Sequence, residues 1–337
     1  MMRLPWFDYR SPRTVAEAAK ILAGEGPQAM LIAGGTDLLP NMKRRHQTPK
    51  VLISLRHIHA LKKVSNGSGI ALGSGLTLSE VLKIEKIPTA LRQAAAQIAT
   101  VHLRNAGTLG GNLCLDTRCN YYNQTYEWRK AIDFCLKKDG DTCWVATGSK
   151  RCVAVSSTDT APALIALNAS VVLSGSSGER EVPVETLYKN DGIDYLSRRP
   201  DEILTEIKIP QEKNVKSTYW KLRRRGAFDF PILGVAVSLR FSAGNIIENA
   251  RVALGAAASR PFLVEKASEY LKGKKLTDDV IAEAATLIAS RAKPLDNTDM
   301  DLYWRKEVAD DFAGYALREL RGDDMRDTRL RIARHLV

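Results

Sequence analysis

No stretch of this 337-residue chain approaches the roughly 18 consecutive apolar residues that a membrane-spanning helix needs. The richest run, Ala161–Leu173, is broken by Asn168 and Ser170. The opening residues, MMRLPWFDYRSP, have no apolar core, which argues against a secretory leader. Aromatic residues make up only 7% of the chain, and it contains no internal repeat and no low-complexity tract. Neither of two familiar nucleotide signatures is present: there is no Gly-x-Gly-x-x-Gly and no Gly-Lys-Ser/Thr P-loop. A long basic tail is also missing, although the formal net charge is +12. The positive residues are spread out, with short clusters at Lys43–Arg45 and Arg223–Arg225 that read as solvated surface. These absences point to a cytoplasmic protein with no membrane segment and no nucleic-acid module. In that compartment cysteines stay reduced, which excludes a disulfide framework.

What is present is enough for two or three domains. Thr14–Gly24 reads as a helix with a Thr14/Glu17 capping box and an apolar face of Val15, Ala18, Ala19 and Leu22. Two short apolar runs, Ala29–Ala33 and Val51–Leu55, flank Gly34-Gly35-Thr36-Asp37 and complete a small α/β unit. No helix signal follows that glycine turn directly. Val64–Leu72 reads as a hairpin around Asn66-Gly67. Thr77 and Glu80 make a second capping box, Ala90–Ala99 is an alanine-rich helix, and Ile203–Ile209 alternates like a strand. After residue 216 come three strand patterns and then three helices, Pro261–Leu271, Asp278–Arg291 and Leu302–Arg321. The division expected is 1–56, 57–215 with an irregular insertion at about 114–152, and 216–337.

The insertion holds all five cysteines. Cys119, Cys135, Cys143 and Cys152 are separated by fifteen, seven and eight residues, and Cys114 precedes them. Four thiolates suit tetrahedral zinc or a 4Fe–4S cluster. Zinc sites usually carry pairs two to four residues apart, and the nearest approach here is Cys114 to Cys119. The wide spacing favours the larger object, while zinc and unliganded thiols stay open at this point. Tyr121, Tyr122, Trp128, Phe134 and Trp144 lie in the same stretch, ready to cover the sulfurs or simply to pack the loop. The five histidines, His46, His57, His59, His102 and His335, form no ligand pair, and no catalytic acid or base is assigned.

Ala33–Leu38 is a glycine turn after a strand, and Gly107–Asn112 is a second turn of the same character. Glycine lets backbone approach a phosphate, and exposed amides bind anions. Two such turns suit the two phosphates of one dinucleotide; the plainer alternative is two tight turns.

The ordered set Leu31–Leu38, Arg104–Asn112, Ser157-Thr158-Asp159 and Tyr219–Arg225 resembles the FAD subunit of the xanthine dehydrogenase and carbon monoxide dehydrogenase family over nearly the whole chain. The resemblance implies an α+β protein: a PCMH-type two-subdomain α/β fold that binds FAD, then antiparallel strands with a three-helix bundle. It implies FAD contacts at Leu31, Ile32, Ala33, Gly34, Gly35, Thr36, Asp37 and Leu38, at Thr108, Leu109, Gly110, Gly111 and Asn112, and at Ile98, Asp159, Leu204 and Lys221. Asp159 would accept from cofactor hydroxyls, and Lys221 would bring positive charge to the flavin or phosphates.

In most relatives the Gly-Gly-Asn turn runs almost directly into the segment matching Asp159; here the cysteine stretch intervenes. That insertion is similar to the one in the medium subunit of 4-hydroxybenzoyl-CoA reductases, whose loop binds a 4Fe–4S cluster. The resemblance implies Cys119, Cys135, Cys143 and Cys152 as ligands and leaves Cys114 spare. It further implies a large molybdenum-cofactor subunit, a small 2Fe–2S subunit, a reduced ferredoxin as donor and a dimer of heterotrimers. The same family subunit serving another substrate is the nearest alternative. A zinc-stapled basic nucleic-acid-binding protein is the alternative of another class.

Overall fold

Three separate β-sheets organise the chain in the computed structural model, which describes residues 3–334. The first is parallel. It contains β1 (Asp8–Arg10), β2 (Ala29–Ile32) and β3 (Val51–Ser54) in the order β1-β3-β2. Helix α1 (Val15–Glu25) buries Ala18, Ala19 and Leu22 against it, as the apolar spacing requires. Thr14 caps α1 by accepting from the Glu17 amide, but the Glu17 carboxylate takes the Arg13 amide, so the expected reciprocal box is not closed. A short helix, α2 (Leu38–Lys43), follows the glycine turn at once, contrary to the sequence expectation. Pro40 hides it in a sequence reading, yet it stands in the first turn, where a missing N–H costs no hydrogen bond.

The second sheet is antiparallel, in the order β4-β5-β8-β6-β7. It comprises β4 (Val64–Asn66), β5 (Gly69–Gly73), β6 (Ser170–Gly175), β7 (Gly178–Pro183) and β8 (Ile203–Pro210). Between β5 and β6 the chain leaves the sheet through α3 (Leu78–Lys83), α4 (Thr89–Ala96), α5 (Val101–Arg104), α6 (Leu109–Leu113), α7 (Tyr126–Ala131) and α8 (Thr160–Ala166). The Thr77/Glu80 capping box that opens α3 is present in both directions. Leu72, Leu91, Leu109, Leu113, Leu164 and Ile207 pack the core under this sheet. The cysteine stretch lies outside that core and, apart from α7, is irregular.

The third sheet, in the order β12-β11-β10-β9, contains β9 (Val215–Leu222), β10 (Leu233–Phe241), β11 (Ile247–Gly255) and β12 (Phe262–Leu263). Helices α9 (Glu265–Leu271), α10 (Asp278–Ala289) and α11 (Leu302–Arg321) cover it. A fourth helix, α12 (Arg326–Arg334), joins the three expected ones. It is anchored by Arg329, which bonds Glu319 at 2.6 Å and stands over the Trp220 ring at 3.9 Å. The architecture is the mixed α+β one anticipated. β1, β7, β12 and α12 were not anticipated, and the helix expected from Pro261 begins at Glu265 because Phe262 and Leu263 pair with β11. Among the described residues no helix is long and apolar enough to cross a membrane; His335 lies outside them.

Candidate functional site

The turn after β2 and the turn before α6 meet back to back. Any side-chain carbon on Gly34 would overlap the Ala106 carbonyl and the Gly107 Cα, so glycine is required for the approach. Gly35 adopts φ 70°, which only glycine takes freely. Between these turns opens a cleft of about 370 Å³. Leu31–Leu38 line it, with Ile98, Thr108, Gly110, Gly111, Asn112, Asp159 and Leu204.

The two turns differ in what they offer a ligand. Among the described residues no protein acceptor takes the backbone N–H groups of Gly34, Gly35, Thr36 or Asp37. Those four amides are free to hold an anion. In the second turn Leu109 N–H donates to Leu76 at 2.9 Å, Gly110 N–H to Ser74 at 2.8 Å, and Gly111 N–H to the Thr108 hydroxyl at 3.1 Å. That turn is a wall with three of its amides already bonded, while the Thr108 N–H meets no protein acceptor among the described residues.

Leu109 and Lys221, both expected at the cofactor, do not line the cleft. Leu109 is buried in the core. Lys221 stands behind Asp159, bonding its Oδ2 at 3.0 Å, the Gln97 carbonyl at 3.0 Å and the Asp229 carbonyl at 2.9 Å. Tyr219 donates to the other carboxylate oxygen at 2.8 Å. Burial pushes the Asp159 carboxyl up and the Lys221 ammonium down, and their mutual attraction opposes both shifts. Asn112 holds this segment in place: its Oδ1 accepts from Thr158 Oγ1 at 2.8 Å and from Thr160 Oγ1 at 2.6 Å.

The cysteine stretch closes on itself beside the cleft. Its ends pair as Arg118 N–H to Val155 O at 2.8 Å and Val155 N–H to Arg118 O at 2.7 Å. Cys119, Cys135, Cys143 and Cys152 are all buried, and Cys119, Cys135 and Cys152 share one cluster with Tyr122 and Ala154. Burial, reinforced by the neighbouring thiols, pushes Cys119 up to about 12 and Cys152 up to about 11. Asp133 and Phe134, just before Cys135, both adopt φ 58°, and Asp139 after it adopts φ 69°. Left-handed backbone at non-glycine residues is stored strain of the kind that binding loops carry. Of the aromatics in the stretch, Trp144 donates its Nε1–H to the Phe134 carbonyl and Trp128 packs on Tyr121, so both pack the loop, while Tyr121, Tyr122 and Val145 belong to the cluster around Cys119, Cys135 and Cys152. Cys114 faces the cleft, and burial raises its thiol.

A thin polar partition separates the two regions. Lys137 Nζ bonds Asp116 Oδ1 and Thr117 Oγ1, both at 2.8 Å, and the Gly192 carbonyl at 2.5 Å. Asp116 and Tyr195 line the cleft on one side. On the other, a side-chain carbon on Gly192 would sit 2.6 Å from Cys152 Sγ.

The FAD-binding domain of molybdopterin dehydrogenases matches residues 5–212, and the C-terminal domain of CO dehydrogenase flavoproteins matches 217–320. The chain belongs to the molybdenum hydroxylase family as an FAD-binding medium subunit. It is 26% identical to the glyceraldehyde dehydrogenase medium chain of Sulfolobus acidocaldarius, covering 94% of this chain and 99% of that one. It is 28% identical to the carbon monoxide dehydrogenase medium chain of Hydrogenophaga pseudoflava, covering 93% and 96%. A solved structure of carbon monoxide dehydrogenase from the same organism, lacking the molybdopyranopterin moiety, superposes with a TM-score of 0.76 at 25% identity, over 94% and 97% of the two chains.

The medium subunit's residues fit the cofactors differently. For FAD, the free amides and the backbone contact at Gly34 make an anion cradle open to the cleft. For the cysteines, the chemistry of the donor set is what bears on a metal group: four buried thiols in one loop, three of them in a single packed cluster. Sequence reading missed Arg118, Lys137, Asp116, Arg129 and His46 around the loop. No spacing marks them, since a buried charge and a solvated one look alike in sequence.

Proposed function

We propose that this medium subunit carries FAD and a 4Fe–4S cluster as the electron-transfer chain of an enzyme like 4-hydroxybenzoyl-CoA reductase, which removes a para-hydroxyl reductively to give benzoyl-CoA. The observation carrying this is that four buried cysteines, three of them in one cluster, lie in a loop whose closed ends abut the flavin cleft. When bound, a flavin exchanges electrons singly or in pairs and an iron–sulfur cluster singly, which suits a relay.

The chain's own residues do the holding. The amides of Gly34, Gly35, Thr36 and Asp37 would take the pyrophosphate, with Leu31–Leu38 along the ribityl chain. Thr108, Gly110, Gly111 and Asn112 form the opposite wall, and Ile98 and Leu204 add apolar surface. Asp159 would offer the lone pairs that Tyr219 and Lys221 leave free. The thiolates of Cys119, Cys135, Cys143 and Cys152 would hold iron, with Tyr121 and Tyr122 excluding water.

In this reading the subunit works in a reducing cytoplasm, between a large molybdenum subunit and a small 2Fe–2S subunit in a dimer of heterotrimers. Electrons arrive from reduced ferredoxin, whose acidic surface suits a chain of net charge +12. The names of the relatives favour a second reading, a flavoprotein subunit for a different substrate. The complex purified through this chain decides between them, given a reduced low-potential one-electron donor and 4-hydroxybenzoyl-CoA. Benzoyl-CoA formation supports the proposal; no benzoyl-CoA, with turnover of an aldehyde or other substrate, transfers the case to the second reading.

A further inference from the structure

Three cations are buried around the cysteine loop, and two of them hydrogen-bond a carboxylate. Arg118 donates to Asp37, and Lys137 to Asp116. The third, Arg129, lies within α7 with 0% exposure, and none of its three guanidinium nitrogens has a hydrogen-bond partner. The nearest carboxylate oxygen, on the half-exposed Asp139, is 3.6 Å from Nη1. Two ring faces are its other company, Phe134 at 5.7 Å and Tyr126 at 6.0 Å. A guanidinium keeps its proton in proteins, so it cannot escape burial by neutralising itself. Ring faces recover only part of what dehydration costs such a group. Its one carboxylate neighbour, Asp139, is half-exposed and makes no hydrogen bond to it, so the buried charge is only partly offset.

The position of Arg129 says where that anion belongs. Its carbonyl accepts the Phe134 amide at 2.7 Å, and Phe134 and Asp139 flank Cys135 in the same tight turn. The Cys135 carbonyl accepts from Lys138 at 2.8 Å and Gly140 at 3.2 Å, closing that turn around the thiol. The other titratable neighbours bring no negative charge: Tyr122 is a buried phenol bonded to Asp116, and His46 is a buried ring donating to the Gln124 carbonyl at 3.0 Å. A cube of iron and sulfide on four thiolates is net anionic and becomes more so on taking an electron.

We propose that Arg129 is an under-compensated positive charge that raises the reduction potential of the cysteine centre. This rests on the reading that Cys119, Cys135, Cys143 and Cys152 hold an iron–sulfur cluster. A fixed cation favours the more negative, reduced form, so Arg129 holds the potential up. It acts through space on the centre and is a positioning residue for charge.

The test is a mediated redox titration of the full chain, purified anaerobically as wild type, Arg129→Met and Arg129→Lys. The reduced centre is followed by electron paramagnetic resonance and the flavin by absorbance. In R129M the midpoint of the centre falls by at least the 59 mV that corresponds to a tenfold change for one electron. In R129K it stays within that margin of wild type, and the flavin midpoint moves in neither variant. R129M that loses iron while R129K keeps it also upholds the charge requirement. Coincident titrations of R129M and wild type overturn the inference, as do equal shifts or equal iron loss in both variants. Wild type without acid-labile sulfide overturns the cluster reading itself and this inference with it, an outcome distinct from coincident curves.

Discussion

Arg118, the residue before the first loop cysteine, donates to the Asp37 carboxylate in the wall of the flavin cleft. One ion pair thereby ties the turn that faces the cofactor to the mouth of the cysteine loop. The Arg118 side chain is 9% exposed, and its Nε and Nη1 already lack partners. Asp37→Ala therefore costs about 1.5–3 kcal/mol, the range for hydrogen bonds to charged groups. Denaturant unfolding measures it, and Asp37→Asn, which keeps an acceptor, loses less. Equal stability of D37A and wild type would contradict the account.

Gly34→Ala forces a methyl into the Ala106 carbonyl. Overpacking of this kind costs about 1–3 kcal/mol, and here it pries the two turns apart. The variant purifies with less FAD per chain than wild type. Gly24→Ala, at a position with open space around it, keeps its flavin. Equal flavin content in G34A and G24A would show that contact of the turns is irrelevant to binding.

Lys221→Met removes one member of a buried pair and leaves the Asp159 carboxylate with Tyr219 as its remaining side-chain donor. The expected loss is about 3–5 kcal/mol, the penalty for stranding a buried charge. Tyr219→Phe removes a single bond and costs only about 0.5–1.5 kcal/mol. Thermal unfolding of the two variants gives the order, and the reverse order sinks this view of the pair.

His46 supplies a pH dependence. Burial, with the charge of Arg129 adding to it, lowers the ring from 6.5 to about 4. As pH falls through that window the unfolded chain takes up the proton first. Stability is full above 6.5 and declines toward pH 4, by about 3 kcal/mol at 1.36 kcal/mol per unit. His46→Gln lacks this component, so its stability falls less steeply over the same interval. Parallel curves for the two proteins would refute the assignment.

Much of the fold could be read from local chemistry. The Thr77 and Glu80 box starts α3 as spaced, α11 begins at Leu302 and ends at Arg321 as its apolar period requires, and the Ile203–Ile209 alternation is β8. β1 and β12 could not be read that way, because three residues and two residues carry no period and owe their form to β3 and β11. In the cleft the glycine turns were legible as places of close backbone approach. Which amides stay free was not, because Leu76 and Ser74, the acceptors for Leu109 and Gly110 in the second turn, stand over thirty residues upstream of it. The cysteines announced themselves by their isolation in one stretch. The cations beside them did not, since Arg129 differs from an exposed arginine only by what folds over it.

The most direct test of the central claim is the content of iron, acid-labile sulfide, zinc and FAD per chain in anaerobically purified protein, with Cys135→Ser beside it. The account predicts FAD together with about four iron and four sulfide in wild type, and FAD with the iron and sulfide lost in C135S. Wild-type protein that holds zinc, or that contains no sulfide at all, would contradict it.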